Sequence, residues 1–309
     1  MADAVRGNWV DRLAPAAARP YLRLSRADRP IGTWLLLLPC WWGLFLAAAA
    51  GGAGFSLGDL WLFVGAAIGA FLMRGAGCTW NDITDRHIDA GVARTRSRPI
   101  PAGQVGVGQA FIWLVAQALV AFAILLTFHV NAIVLGMVSL VPVAIYPFAK
   151  RFTWWPQMFL GLAFNWGALL LWTAQAGSLG WPAVALYLGG ISWTLFYDTI
   201  YAHQDRDDDA LIGVKSTARL FAQNTGPWLM GFLVLTKLCM AAAVIMALGQ
   251  ISLAATVVAL VGVGGMGGHM WWQLRQLDID DPETCLRLFR TNRDTGLIVA
   301  LFFAAAALV

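Results

Sequence analysis

Long apolar runs alternate with short polar segments along the whole chain. Nine of these runs approach the roughly 20 residues that an α-helix needs to cross a bilayer. They predict nine transmembrane helices in an all-α polytopic membrane protein. The predicted spans are 30–49, 58–79, 107–127, 131–149, 155–175, 182–201, 227–247, 251–272 and 295–309.

Positive charge is confined to alternate connecting segments. With a cytoplasmic N-terminus, the cytoplasmic segments contain all 21 Lys and Arg residues except Arg74 and Lys237. Such an asymmetry orients membrane proteins, so it supports both the helix count and the orientation. The absence of an evident transit peptide favours a bacterial inner membrane over an organellar one. The cytoplasmic segments are 1–29, 80–106, 150–154, 202–226 and 273–294.

Composition excludes several classes of protein. With 59% hydrophobic residues, 12% charged residues and a mean hydropathy of +0.67, the chain is too apolar for a soluble domain. The net charge of +4 does not indicate nucleic-acid binding, because the basic residues are spread through loops. The four cysteines have no metal-binding spacing and read as small core residues.

We expect one integral-membrane domain over 1–309, with 1–29 as a cytoplasmic leader. Residues 9–28 mix apolar and arginine side chains, which predicts an amphipathic segment on the bilayer surface. A disordered basic leader is the alternative for residues 1–15.

The most polar stretch, 81–103, reads NDITDRHIDAGVARTRSRPIPAG. Asn81, Asp85 and Asp89 are spaced i, i+4, i+8, so they share one face if the preceding helix continues. We call these three residues the first stripe. Asp82 lies one residue round from it and could reach a metal through water. Three arginines follow: Arg94, Arg96 and Arg98.

A second acidic stretch, YDTIYAHQDRDDDALIGVKSTA, follows a later span. Its spacing of i, i+3, i+7 and i+11 again predicts a single helical face. We call this set the second stripe: Asp198, Tyr201, Asp205 and Asp209.

Oxygen ligands gathered on one face favour Mg²⁺ or Mn²⁺, and Mg²⁺ with few protein ligands usually also holds a phosphate. Two such faces opposite each other could hold two or three Mg²⁺ ions bridged by a diphosphate. The metal would make that diphosphate a good leaving group. An allylic isoprenoid diphosphate suits this chemistry, because its tail needs an apolar channel. The alternative for each stripe is a solvated acidic loop.

The first acidic stretch resembles the first signature of the UbiA superfamily of membrane prenyltransferases, and the second stretch resembles the second signature. RADRPIGTWLLLLPCWWGLFLA and YPFAKRFTWWPQMFLGLAFNWG resemble the opening helix and middle loop of its ubiquinone-pathway branch. The likeness is dispersed over roughly residues 20–225. It implies a UbiA-like bundle of nine transmembrane helices around a central cavity. It also implies Mg²⁺-dependent transfer of a polyprenyl group from polyprenyl diphosphate to 4-hydroxybenzoate, ortho to its hydroxyl.

The resemblance assigns roles to individual residues. It makes the first stripe and the aspartates of the second stripe the metal and diphosphate groups, with Asp198 a candidate base for the ring proton. Arg94 and Lys150 or Arg151 would hold the diphosphate or the aromatic carboxylate, and Lys215 of the KSTA stretch joins this substrate-binding set. Two departures are Arg29, where Lys is frequent, and Ala222, where Gly is expected.

The roles of several residues have two interpretations. Arg74, seven residues before Asn81, completes the site or pairs with a carboxylate, and Tyr201 hydrogen-bonds diphosphate or simply packs. Lys237 is read as a structural partner or a snorkelling side chain. His87 and His203 are read as loop histidines rather than metal ligands, and Asp207 and Asp208 as solvated.

Two alternative functions remain at this point. One is a sibling prenyltransferase that uses dihydroxynaphthoate, homogentisate or haem as acceptor. The other is a transporter, which would place charges from several helices near mid-membrane. Here nearly all charges lie towards one surface, which disfavours transport.

The topology can be tested by labelling. Single cysteines introduced into 80–106 and into 202–226, in a cysteine-free background, should both react with an impermeant reagent from the cytoplasmic side only. Their shared excess of Lys and Arg is the reason. Labelling of the two segments from opposite sides would contradict both the helix count and the shared face.

Overall fold

The computed structural model describes residues 7–91, 95–211 and 213–309, with the backbone alone for residues 207–209. Every regular element in this part of the chain is helical, which confirms the expected all-α fold. Two 3₁₀ turns lie at His203–Asp205 and Ala222–Asn224. The α-helices are α1 (Trp9–Arg12), α2 (Arg19–Leu24), α3 (Ile31–Gly51), α4 (Leu57–Thr84), α5 (Arg86–Gly91), α6 (Val107–Leu125), α7 (Val130–Val138), α8 (Leu140–Phe152), α9 (Pro156–Phe164), α10 (Trp166–Ala176), α11 (Trp181–Ala202), α12 (Arg206–Leu211), α13 (Thr217–Phe221), α14 (Thr225–Leu248), α15 (Leu253–Gln276) and α16 (Pro282–Ala306).

Within the described residues, seven helical segments are long and apolar enough to cross a membrane. They make the chain an integral membrane protein. The segments are Ile31–Gly51, Leu57–Thr84, Val107–Leu125, Val130–Phe152, Pro156–Ala176, Thr217–Leu248 and Leu253–Gln276.

The other two predicted spans, 182–201 and 295–309, are helical but lie outside that set of seven, so the count of nine is not confirmed. The last helix also begins much earlier than predicted. Asp281 caps it by accepting a hydrogen bond from the Glu283 N–H at 3.0 Å, and Pro282 occupies its first turn. The predicted span 295–309 is therefore the second half of a longer helix, whose first half lies in the predicted cytoplasmic segment 273–294.

The described part of the leader forms two short helices and folds back on itself. Pro15 lies between α1 and α2, and Pro20 occupies the first turn of α2. The Trp9 indole donates to the Ala27 carbonyl at 2.9 Å, and Val10 packs against Ala27. A surface ion pair of 2.8 Å joins Arg23 to Asp11. The described leader is thus an ordered turn-rich segment that precedes α3.

By its internal contacts the chain forms two compact units. The first unit comprises Met1–Trp34 and Ala67–Thr127. Its core joins α2, α4, α6 and the segment before α6, through Leu24, Ile83, Val105 and Ala110.

A buried hydrogen-bond set stabilises the same unit. The Ser25 hydroxyl donates to Gln117 Oε1 at 2.9 Å and accepts from the Trp113 indole at 2.9 Å. Gly75 of α4 permits this approach, because a Cβ there would collide with the Gln117 amide and lie 2.9 Å from Ser25 Cβ.

The second unit comprises Leu35–Ala66 and Phe128–Val309. Helix α11 is its most enclosed element, packed by α9, α14 and α16, while α15 packs on α14 and α16. The break between α9 and α10 is held to α11, because Asn165 Nδ2 donates to the Thr194 hydroxyl at 2.8 Å. Small polar contacts of this kind are typical of helix packing inside membranes.

A neutral polar network joins α11, α15 and α16. The Trp193 indole donates to Asn292 Oδ1 at 3.0 Å, and Asn292 Nδ2 donates to Gln273 Oε1 at 2.9 Å. Gln273 Nε2 donates to the Thr295 hydroxyl at 3.0 Å. All four side chains are fully buried. Because the bilayer core offers no water, their polar groups must form hydrogen bonds with one another.

Ala222 adopts a positive φ of +48°. This left-handed region is costly for a side chain with a Cβ and favours glycine. Gly is expected here from the family resemblance, and the Ala found in its place has a strained backbone at the end of α13.

Candidate active site

The first stripe keeps its predicted register. Helix α4 ends at Thr84, yet the Asp85 N–H donates to the Asn81 carbonyl at 2.9 Å and the Asp89 N–H to the Asp85 carbonyl at 2.8 Å. This i to i+4 ladder continues into α5, so all three residues lie along one face. Asp85 is 1% exposed, Asp89 is 5% exposed, and Asn81 is half-buried.

A chain of buried and half-buried ion pairs includes Asp89, the last residue of this stripe. Arg26 Nη2 lies 2.6 Å from Asp82 Oδ1. Arg98 Nη1 lies 3.2 Å from the same oxygen and 2.7 Å from Asp89 Oδ2. We call Arg26, Asp82, Arg98 and Asp89 the arginine–aspartate chain.

Asp82 departs from its predicted role. Its spacing suggested an intermediate position that reaches a metal through water. Instead it is 0% exposed and bonded to two guanidinium groups. Its spacing places it on the side of α4 that faces into the first unit, where its charge needs fixed cations.

The electrostatics of the chain follow from burial and neighbouring charge. Burial raises the pKa of the Asp89 carboxyl; the Arg98 guanidinium opposes this rise, and the charges of Asp82 and Asp85 add to it. Burial alone would lower the pKa of Arg26, but the attraction of Asp82 outweighs it and the net shift is upward. Asp89 therefore lies among other buried carboxylates, and a further cation would relieve the repulsion between them.

The donor set suits a hard divalent cation. Asn81, Asp85 and Asp89 offer only oxygen ligands, which Mg²⁺ prefers. In addition, Asp82 Oδ2 is buried and has no hydrogen-bond partner. Among the described side chains, however, no three His, Cys, Asp or Glu residues are arranged to hold a metal. Arg98 occupies Asp89 instead, so metal binding would require this arginine to give way.

Arg74 and Arg94 are two of the predicted substrate-binding residues. Arg74 is half-buried on α4 and fills the space beside Gly32, where a Cβ would lie 2.5 Å from its Nε. It therefore packs on the start of α3. Arg94 lies outside the described residues.

The second stripe is not one continuous α-helical face. Helix α11 ends at Ala202, and a 3₁₀ turn then carries Asp205. Three residues per turn replace 3.6, so the predicted angular spacing breaks at His203. Asp198 and Asp205 are half-buried, and the Tyr201 ring lies 4.5 Å from that of Phe289. The side chain of Asp209 lies outside the described residues.

The middle loop and the KSTA stretch meet in the second unit. The Lys215 N–H donates to the Lys150 carbonyl at 3.3 Å, and Lys215 Nζ donates to the Phe152 carbonyl at 3.4 Å. Arg151, at the end of α8, is exposed and lies over the Phe148 ring at 5.3 Å. Three of the predicted anion-binding residues are thus brought to one end of α8.

A surface cavity of about 650 Å³ lies between the start of α14 and the end of α15. None of the predicted site residues lines it. Its lining residues are Gly226, Pro227, Met230, Trp271, Leu274, Arg275, Leu277, Asp278 and Ile279.

His203 is a buried structural histidine rather than the predicted loop histidine. Its Nε2 lies 3.1 Å from the Thr225 hydroxyl, and its Nδ1 is buried without a hydrogen-bond partner. Burial lowers the pKa of the imidazole to about 4, with Arg206 adding to the shift and Asp280 opposing it. The ring is therefore neutral at physiological pH.

Comparison with known proteins assigns the family. A sequence model of the UbiA prenyltransferase family matches residues 36–307. The chain belongs to the UbiA prenyltransferase family. The resemblance seen in the two acidic stretches is confirmed.

Curated relatives of this UbiA protein carry a common name. This chain is 48% identical to the mitochondrial 4-hydroxybenzoate polyprenyltransferase of Bos taurus, over 93% of this chain and 75% of the relative. The Homo sapiens protein of the same name is 47% identical over the same shares. That of Dictyostelium discoideum is 44% identical over 98% of this chain and 63% of the relative.

Solved UbiA structures share the fold. A UbiA homologue from Archaeoglobus fulgidus bound to GPP and Mg²⁺ superposes with a TM-score of 0.69 at 18% identity, covering 94% of this chain and all of the other. The apo UbiA homologue from Aeropyrum pernix K1 gives 0.65 at 22% identity, over 89% and 96% of the two chains.

Sequence reasoning missed Arg26, which is the closest partner of Asp82 in this UbiA protein. It had been counted only as part of a basic leader. The one available signal was the charge balance, since a buried acidic stretch needs arginines from elsewhere in the chain.

The buried His203 predicts a pH-dependent stability. Because its folded pKa of about 4 lies below the unfolded value of about 6.5, only the unfolded chain takes up a proton between these pH values. Stability should therefore fall as the pH falls through this window. Melting temperatures in detergent from pH 7 to pH 5 should drop more for the wild type than for His203→Gln. Parallel curves would show that His203 does not titrate on unfolding.

Proposed function

We propose that this protein transfers a polyprenyl group from polyprenyl diphosphate to the ring carbon ortho to the hydroxyl of 4-hydroxybenzoate. The 48% identity to a 4-hydroxybenzoate polyprenyltransferase, over 93% of this chain, carries the proposal. The first stripe, with its oxygen ligands and two buried carboxylates, supports the proposal from the structure. The tail of the substrate would lie among the apolar helices.

The first stripe is proposed to bind the metal and diphosphate. Asn81, Asp85 and Asp89 would be the ligands, since they lie along one face and offer only oxygens. When bound, Mg²⁺ would neutralise the diphosphate and make it a better leaving group. Arg98, bonded to Asp89 at 2.7 Å, lies at that stripe and would face the departing anion.

The second stripe and the end of α8 are proposed to complete substrate binding. Asp205 and Asp209 would add oxygen ligands, and Tyr201 would donate to the diphosphate. The remaining predicted cations would hold the diphosphate or the acceptor carboxylate: Arg74, Arg94, Lys150, Arg151 and Lys215. The contact between Lys215 and Lys150 supports a joint role for the last three.

The reaction then proceeds as an ionisation followed by ring attack. The allylic C–O bond breaks, and diphosphate leaves with the bonding electrons. The ring carbon next to the phenol oxygen forms the new C–C bond, and its proton passes to a carboxylate, for which we propose Asp198. Holding both substrates in a fixed orientation supplies much of the remaining acceleration.

We propose that both acidic segments face the compartment marked by Lys and Arg. In a bacterial inner membrane this is the cytoplasm. The mitochondrial names of the relatives make the matrix the corresponding alternative. The restriction of basic residues to alternate segments supports the orientation.

Prenyl transfer should be measurable in isolated membranes. Radiolabelled 4-hydroxybenzoate, incubated with polyprenyl diphosphates of several chain lengths and Mg²⁺, should yield labelled lipid, and excess EDTA should abolish the product. Dihydroxynaphthoate and homogentisate serve as competing acceptors. Transfer only to one of these would contradict the assigned acceptor. Full turnover in EDTA on a metal-free preparation would contradict the role of the metal.

Position along the stripes should decide the effect of removing a carboxylate. Asp85→Asn, Asp89→Asn, Asp205→Asn and Asp209→Asn should each lower turnover about 100-fold or more. This corresponds to about 2.7 kcal/mol of barrier, reasonable for one ligand of a metal-assisted step.

Asp207→Asn and Asp208→Asn are the matched controls, because they change the same local charge between two stripe positions. They should stay within a few-fold of the wild type. Equal, mild effects at residues 205, 207, 208 and 209 would mean that the second stripe holds no metal.

A further inference from the structure

Arg26 has a strained backbone. Its φ of +56° lies in the left-handed region, and only one other non-glycine residue in the described chain, Ala222, has a positive φ. Such a conformation costs a residue with a Cβ about 1 kcal/mol or more. It belongs to a tight turn after α2, closed by the Ala27 N–H donating to the Leu22 carbonyl at 3.0 Å.

That turn directs the Arg26 side chain into the first unit. The residue is 7% exposed, whereas the other described arginines of the leader are half-buried or exposed. Its Nη2 donates to Asp82 Oδ1 at 2.6 Å and its Nη1 to the Arg23 carbonyl at 3.0 Å. A buried carboxylate without a cation is strongly destabilising, so this pair compensates for the strain.

Arg26 also controls how Arg98 is shared. Both guanidinium groups donate to the same oxygen of Asp82, but Arg26 is closer, at 2.6 Å against 3.2 Å. Because Arg26 largely neutralises Asp82, Arg98 forms its shorter bond, 2.7 Å, with Asp89. Without the Arg26 charge, the fully buried Asp82 would draw Arg98 away from Asp89.

We propose that Arg26 is a positioning residue: by neutralising Asp82, it keeps Arg98 beside the first stripe, where Arg98 can bind the diphosphate once a metal takes its place on Asp89. It acts through Asp82 and Arg98 and does not itself touch substrate. The inference rests on the proposed function, since it takes Asp89 as a metal ligand and Arg98 as the cation that faces the diphosphate.

The test measures two kinds of binding separately: binding of a diphosphate analogue in the presence of metal, and binding of metal alone. Purified full-length protein in detergent is titrated with geranyl thiodiphosphate, an unreactive analogue, in the presence of Mg²⁺. Arg26→Gln should bind this probe about tenfold more weakly, because Arg98 is withdrawn to Asp82 and one charge-assisted hydrogen bond is lost.

Mn²⁺ alone, counted by electron paramagnetic resonance, should bind Arg26→Gln at least as tightly as the wild type. The reason is that Arg98 no longer competes for Asp89. A variant that is merely less well folded would lose both kinds of binding together.

Three further variants sharpen the result. Arg23→Gln removes the same charge from the same leader, but Arg23 pairs at the surface with Asp11, so probe binding should stay within twofold of the wild type. Arg26→Lys keeps a cation at Asp82 and should stay within about threefold. Arg26→Gln combined with Asp82→Asn removes the buried anion that draws Arg98, and should recover most of the lost probe binding.

These outcomes distinguish the inference from the proposed function. Wild-type protein that fails to bind the probe with Mg²⁺ would overturn both. Wild-type binding with Arg26→Gln equally tight would overturn the positioning role alone. If Arg26→Gln does not fold, a tenfold loss in Arg26→Lys, or no recovery in the double variant, would equally overturn it.

Discussion

Acids removed from water at the end of a membrane helix must be neutralised within a few ångströms. Asp82, Asp85 and Asp89 are all almost fully buried within a short stretch at the end of α4 and in α5. The cost of burying unpaired charge exceeds what hydrophobic packing of a few side chains can offset. The first unit therefore depends on bringing Arg26 and Arg98 to this stretch, one from before α3 and one from after α5.

In the second unit, a set of buried polar side chains also needs partners, and here the partners are neutral. Trp193, Asn292, Gln273 and Thr295 satisfy one another, so three helices exchange hydrogen bonds inside an apolar bundle. In membranes such bonds each contribute only about 0.6 kcal/mol on average, but their directionality specifies helix register. Helix α11 thus has a closely bonded middle and a polar end that carries Asp198 and Tyr201.

The first stripe could be predicted from spacing because an unbroken hydrogen-bond ladder passes through Asp85. The second could be predicted only as far as Tyr201, because no residue pattern announced the 3₁₀ turn at His203. Charges in the first half of α16 hid it from a search for apolar runs, although the Asp281–Pro282 start signal was present in the sequence. The burial of Asp82 could not be predicted at all, since it depends on an arginine 56 residues away.

Arg26 lies outside the part of the chain by which the family is recognised. The family match begins at residue 36, so Arg26 lies outside it, while Asp82, Arg98 and Asp89 lie within it. A matched segment can therefore carry all the candidate metal ligands and still lack part of their compensating charge. Since Asp82 Oδ1 is shared by two guanidinium groups, the removal of either changes the environment of the other. Arg26 of the leader thus contributes to the charge balance of the first stripe, and a chain beginning at α3 would bury Asp82 without this guanidinium.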